Sequence, residues 1–138
     1  MDEWSIIVGL GSIGLPLLKE IRTETSRKIL VVSDDDLPDN FRQDGSIISK
    51  KINLNGDVEW SGLLRHCNRI HSIYYVLGST KPRDEGRNEL GFTDNFSHNI
   101  SKINNELLKL VFEAHQSLIN RSYIVAISSV LGSHVSLD

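Results

Sequence analysis

Apolar residues along the chain gather into five short runs separated by stretches of helical period. The runs are Ile6-Ile7-Val8, Ile29-Leu30-Val31-Val32, a broken Ile47-Ile48 with Ile52-Asn53-Leu54, Ile70 to Leu77, and Tyr123 to Ile127. All are short and mostly rich in branched or aromatic residues, the pattern of strands buried on both faces of a parallel sheet. The third run is the exception. It alternates in part and carries Lys50-Lys51, which suits a strand near the sheet edge. Between the runs, Leu15, Leu17, Leu18 and Ile21 predict a helix from about Ser12 to Thr25, with Pro16 expected in its first turn. Trp60, Leu63 and Leu64 predict a second, with Asp57 as its N-cap. From about Asp94 the helical period is strongest. Ile100, Ile103, Leu107, Leu110, Val111, Ala114 and Leu118 share one face, while Lys102, Asn105, Lys109, Glu113 and Gln116 lie opposite. Leu108 and Phe112 fall off that stripe. They either widen the core or offer the 97–119 helix a homodimer contact.

Strands alternating with helices predict an α/β fold, a Rossmann-like three-layer α/β/α arrangement around a parallel sheet of about five strands in the order 3-2-1-4-5. In such a sheet a ligand crevice lies at the carboxyl ends of strands 1, 2, 4 and 5. The length of 138 residues is that of one domain, so residues 1–138 are read as a single unit. Residues 37–45 read as loop, and the polar stretch 81–95 as a longer surface loop.

Composition adds exclusions. A formal charge of -3, with no Lys or Arg cluster along one element, argues against nucleic acid as a partner. The acidic Met1-Asp2-Glu3-Trp4 start enters a strand directly, without a signal peptide, and no apolar run has membrane-spanning length. A single cysteine, Cys67, excludes an intrachain disulfide. These features lead us to expect a cytoplasmic protein with no membrane partner.

The chemistry concentrates at Gly9-Leu10-Gly11-Ser12-Ile13-Gly14, a G-x-G-x-x-G between the first strand and the first helix. In that setting Gly9 permits the tight turn, Gly11 lets backbone approach a pyrophosphate, and Gly14 lets the helix pack on the strand. Ser12 and Ile13 open the helix, whose free amides receive negative charge. Glycines also close ordinary turns, so the flanks decide. The second strand ends in Ser33-Asp34-Asp35-Asp36. Asp34 stands at the spacing at which a carboxylate holds a ribose hydroxyl, whereas Asp35 and Asp36 read as a solvated turn. A carboxylate there repels a 2′-phosphate, which favours NAD over NADP, with Arg42 the nearest cation that could reverse this. The five histidines lack metal-ligand spacing, so no metal site is expected. There is also no Walker A pattern and no G-x-S-x-G nucleophile elbow.

Taken with Gly56-Asp57-Val58, Leu77-Gly78, Asn99 and Ile127-Ser128-Ser129, the glycine loop resembles the amino-terminal part of a short-chain dehydrogenase/reductase. The likeness is greater to the extended branch of nucleotide-sugar epimerases and dehydratases. The resemblance implies that Gly9, Gly11 and Gly14 hold the pyrophosphate and Asp34 the adenosine ribose. It implies that Asp57 and Val58 line the adenine pocket and that Leu77-Gly78 passes under the cofactor. Ser129, or Ser128 beside it, would bond the substrate oxygen, and Asn99 would be structural or organise a proton-relay water. A nucleotide sugar is the substrate so implied. The chain departs from the family in lacking the Tyr-x-x-x-Lys acid/base after the serine, since Val130 to Asp138 contain neither residue. Tyr74, Tyr75 and Tyr123 fall inside predicted strands as core or sheet-face residues. The chain is therefore expected to be the cofactor-binding part of a longer enzyme, inactive on these residues alone. The alternative is a non-catalytic NAD-sensing regulatory module of the potassium-transport type, which also carries G-x-G-x-x-G and a Gly-Asp.

Overall fold

The computed structural model describes residues 2–54, 56–76 and 104–127. Five parallel strands form one sheet in the order β3-β2-β1-β4-β5. They are β1 (Trp4–Val8), β2 (Lys28–Ser33), β3 (Ile47–Lys51), β4 (Ile70–Tyr75) and β5 (Leu118–Ala126). The helices are α1 (Gly11–Glu24), α2 (Asp39–Arg42), α3 (Trp60–Leu63) and α4, residues 104–114. The central strand β1 is buried at every position, as its unbroken apolar run requires. Its residues divide between two cores. Ile7 packs with Ile29, Val31 and Tyr74 against Leu18 and Ile21 of α1. Trp4, Ile6 and Val8 face the other way, toward Trp60, Leu64, Leu110 and Ala114 of α3, its following turn and α4. Helices therefore cover both faces, giving the expected three layers.

Register brings the functional edge together. Val8 pairs with Val32 on one side and Tyr75 on the other, and the Gly9 amide donates to the Val32 carbonyl at 2.7 Å. The turn after β1 thus lies directly beside the residues that end β2.

Several local expectations change. Helix α1 begins at Gly11, one position before the expected start, directly out of the turn in which Gly9 and Gly11 take positive φ. Pro16 therefore lies in the second turn rather than the first, on the exposed side, and deprives the Ser12 carbonyl of its helical donor. Asp57 is not the cap of α3. With Val58 and Trp60 both turned into the core, the helix starts at Trp60, and Glu59 stands at its N-cap. Strand β3 stops at Lys51, and its lysines lie within it; only Ile47 is fully buried, as befits an edge. The long helical stripe ends at Ala114, and a 3-10 turn over His115–Ser117 turns Leu118 into the first residue of β5. Tyr123, read as a core or sheet-face residue, is 43% exposed, because β5 is the other edge. The 81–95 loop and the start of the long helix lie outside the described residues.

Candidate functional site

The site is built around the turn between β1 and α1. Gly9 and Gly11 have φ of 97° and 87°, a region in which a Cβ is strained. At Gly11 the space a Cβ would occupy is open, so the backbone presents a bare approach. At Gly14 the reverse holds. A Cβ there would overlap the carbonyl oxygen of Gly9 and stand 3.5 Å from Val76, so this glycine packs the helix against the strands. The three glycines thus separate into two that shape the turn and one that seats the helix, as their sequence spacing predicts.

The amides at the start of α1 have no side-chain cap, since Leu10 occupies that position, and no acidic residue lies in the first turn. Both conditions leave the positive end of the helix dipole available to an anion. Ser12 and Ile13 are exposed beside it. Asp34 follows β2 immediately, next to this turn, and is exposed. Asp36 is committed elsewhere, and Asp35 only through its backbone amide. The Ser33 hydroxyl accepts from the Asp35 amide at 3.0 Å, and Asp36 pairs with Lys51 at 3.1 Å. Arg42 is held by the Leu37 carbonyl at 2.8 Å and by Asp39 at 3.3 Å. The Asp34 carboxylate, like that of Asp35, takes no partner among the described residues.

Beyond β3, Asp57 is exposed while Val58 is buried in the α3/α4 core, so Val58 can offer a ligand only its backbone. Asp57 Oδ1 lies 3.9 Å from the Lys109 ammonium. That ammonium donates to Glu106 Oε2 at 3.1 Å, and this hydrogen bond, more than any other influence, raises the Lys109 pKa. Glu106 is only 4% exposed, and its other oxygen accepts from the Trp60 indole at 3.1 Å. Burial, reinforced by the Glu106 charge, pushes the Tyr75 phenol well above its usual range. Sequence reasoning missed Glu106. The available signal was its place between Ile103 and Leu110 on the buried stripe of the long helix, where a carboxylate needs a partner. Leu77, Gly78, Asn99, Ser128 and Ser129 lie outside the described residues. No group of three or more His, Cys, Asp or Glu side chains suited to a metal occurs among the described residues.

The turn, the strand order and the two covered faces define a Rossmann-like α/β fold. Among solved structures, the chain is similar to an apo SCOR enzyme from Clostridium thermocellum. The TM-score is 0.69 at 14% identity, over 91% of this chain and 54% of that one. It is also similar to a short-chain dehydrogenase/reductase from Burkholderia vietnamiensis (TM-score 0.63, 12% identity, 94% of this chain and 66% of that one). A short-chain dehydrogenase from Oenococcus oeni PSU-1 gives 0.62 at 12% identity, over 98% and 66%. The chain spans between about half and two thirds of the length of these enzymes. No protein-family model and no curated protein sequence matches it. No helix among the described residues is long and apolar enough to cross a membrane.

Proposed function

We propose that this chain is the NAD-binding portion of an oxidoreductase of the short-chain dehydrogenase/reductase kind. The observation that carries the reading is the glycine turn itself: two left-handed glycines, open space over Gly11, and an uncapped helix start beside Asp34. These residues fit a nicotinamide dinucleotide, which supplies the hydride donor or acceptor when bound. Gly9, Gly11 and the amides of Ser12 and Ile13 would hold its pyrophosphate, and Asp34 the adenosine ribose. Asp57 would face the adenine. NAD is preferred to NADP because Asp34 is exposed and without a neutralising cation, Arg42 being tied to Asp39 and Leu37. A 2′-phosphate would meet that charge directly.

The catalytic portion is proposed to belong to a longer protein, with Ser129 or Ser128 serving the substrate oxygen and Asn99 supporting it. The span of 54% to 66% of the solved enzymes supports this. A nucleotide sugar as substrate is supported by the resemblance of Leu77-Gly78, Asn99 and Ser128-Ser129 to the extended branch.

Calorimetric titration of the chain with NAD, NADP and an Asp34→Ala variant tests the cofactor reading. NAD is expected to bind, NADP to bind at least tenfold more weakly, and the variant to lose about tenfold or more in NAD affinity, the size of a charge-assisted hydrogen bond. Absence of NAD binding at millimolar concentration would sink the reading.

A further inference from the structure

His71 is the residue at which both ladders of β4 lose their register. Against β1, Trp4 pairs with Ile70 and Ser5 with Ser72, so His71 is an extra residue in β4. Against β5, Ile70 pairs with Leu118 and Ser72 with Tyr123, so residues 119–122 arch across the span that His71 alone covers. Arg121, in that arch, is held at a φ of 67°. The amino end of β5 is therefore fastened by one registered pair below the arch, Leu118 with Ile70, at an edge of the sheet. None of residues 118–122 is fully buried. An interrupted ladder with few buried contacts is the make-up of a segment that opens locally.

The ring of His71 bridges this interruption. It stands edge-on to Tyr123 of β5, the centroids 5.4 Å apart, and the Tyr123 and Tyr74 hydroxyls are hydrogen-bonded at 2.6 Å. The ring is half-buried, with Nδ1 on the buried side and without a hydrogen-bond partner among the described residues. A bare nitrogen is cheaper to bury than an N–H with no acceptor, so the neutral ring carries its hydrogen on Nε2. Protonation adds a hydrogen at Nδ1, where no oxygen among the described residues receives it. The surrounding charges do not compensate. Arg27, ahead of β2, repels an imidazolium, while Glu3, ahead of β1, attracts it but is shared with Arg69 at 3.5 Å. Tyr74 and Tyr123 bring hydroxyls engaged with each other, and Arg121 in the arch is a further cation on the β5 side. Burial, then the Arg27 charge, lowers the pKa of the ring accordingly.

Opening of the arch relieves both faults at once, giving Nδ1 water to bond and Arg121 an ordinary backbone conformation. We infer that protonation of His71 releases residues 118–122 from β4, a proton-operated opening at one edge of the sheet that leaves β1 to β4 paired. It acts at the end of the sheet opposite the glycine turn and is independent of the dinucleotide reading.

Amide hydrogen exchange of residues 118–122, each rate divided by that of an unstructured peptide at the same pH, tests the inference. Between pH 7.5 and pH 5.5 the open fraction should rise by up to about tenfold, because the released ring titrates near 6.5, one unit above the lower pH. His71→Phe keeps the ring contact but has no proton to take, and its rise should stay below about twofold. Arg27→Gln removes the repulsion, lets the closed state keep the proton, and should give a smaller rise than the wild type. In the wild-type protein itself, the acceleration should follow the titration of the His71 ring protons seen by NMR, a readout that needs no variant to fold. Amides of 118–122 that ignore pH while those of β1 accelerate overturn the inference, because His71 is then released only by global unfolding. A rise undiminished in His71→Phe overturns it by assigning the proton to another group. A wild-type rise that departs from the titration of the ring overturns it as well.

Discussion

Gly14 carries a constraint that no side chain can meet, since a Cβ would overlap a backbone carbonyl oxygen rather than the movable end of another side chain. Relief requires the start of α1 to lift from β1. Gly14→Ala is therefore expected to cost about 1–3 kcal/mol, the range for forced overpacking, read as a lowered urea midpoint. Gly11 has open space instead, so its substitution strains the backbone without a clash. These roles were legible in the sequence because each is a local backbone requirement, carried by residue type and spacing. Glu106 was not legible in the same way. Its partner Trp60 is 46 positions away, and only the tertiary fold reveals that the two share a core. The exposure of Tyr123 was hidden for a related reason: a strand sequence does not say whether a neighbour covers it.

At the scale of elements, β5 departs most from its expected form. Residues Tyr123 to Ala126 pair in steady register with Ser72 to Tyr75, but Leu118 pairs with Ile70. The intervening residues of β5 outnumber those of β4, and the excess is absorbed where Arg121 adopts a φ of 67°. That left-handed conformation costs an L-residue roughly 1 kcal/mol, and glycine adopts it without the penalty. Arg121 is exposed and its side chain forms no hydrogen bond or ion pair among the described residues. Arg121→Gly should therefore raise stability only slightly, by at most about 0.5 kcal/mol once the greater freedom of glycine in the unfolded chain is subtracted, read as a small rise in the urea midpoint. A lower midpoint would show that the Arg121 side chain contributes more than its backbone strain. The bulge has no counterpart in the apolar pattern of 118–127. For that reason the sequence suggested a strand from Tyr123 while the ladder begins five residues earlier.

Across the whole molecule, the two ends of the sheet are dressed differently. The carboxyl ends carry the glycine turn. The amino ends carry a polar cluster, in which the Ser5 and Ser72 hydroxyls are 2.8 Å apart and Arg27 donates to Ser5 at 3.0 Å. His71 belongs to this end, edge-on to Tyr123, with its Nδ1 buried and without a hydrogen-bond partner among the described residues. Burial, followed by the Arg27 charge, lowers its pKa below 6.5, with Glu3 opposing. The folded protein thus takes up this proton less readily than the unfolded chain, so stability holds above about pH 6.5 and declines as pH falls below it. His71→Phe preserves the ring contact and removes the proton. Its urea midpoint should change less between pH 7.5 and pH 5.5 than that of the wild type.

The central place of β1 also fixes the order in which the fold can be completed. Strand β1 needs β2 on one side and β4 on the other, and residues facing each other across the latter seam, Ser5 and Ser72, are 67 positions apart. Half of its hydrogen-bonding edge must wait until β4 has been made, with the loop-closure entropy that such a separation entails. The glycine turn, which depends on Val76 behind Gly14 as well as on β2, cannot take its final shape before then. The strand that comes first in this sheet thus cannot be finished before the fourth is in place.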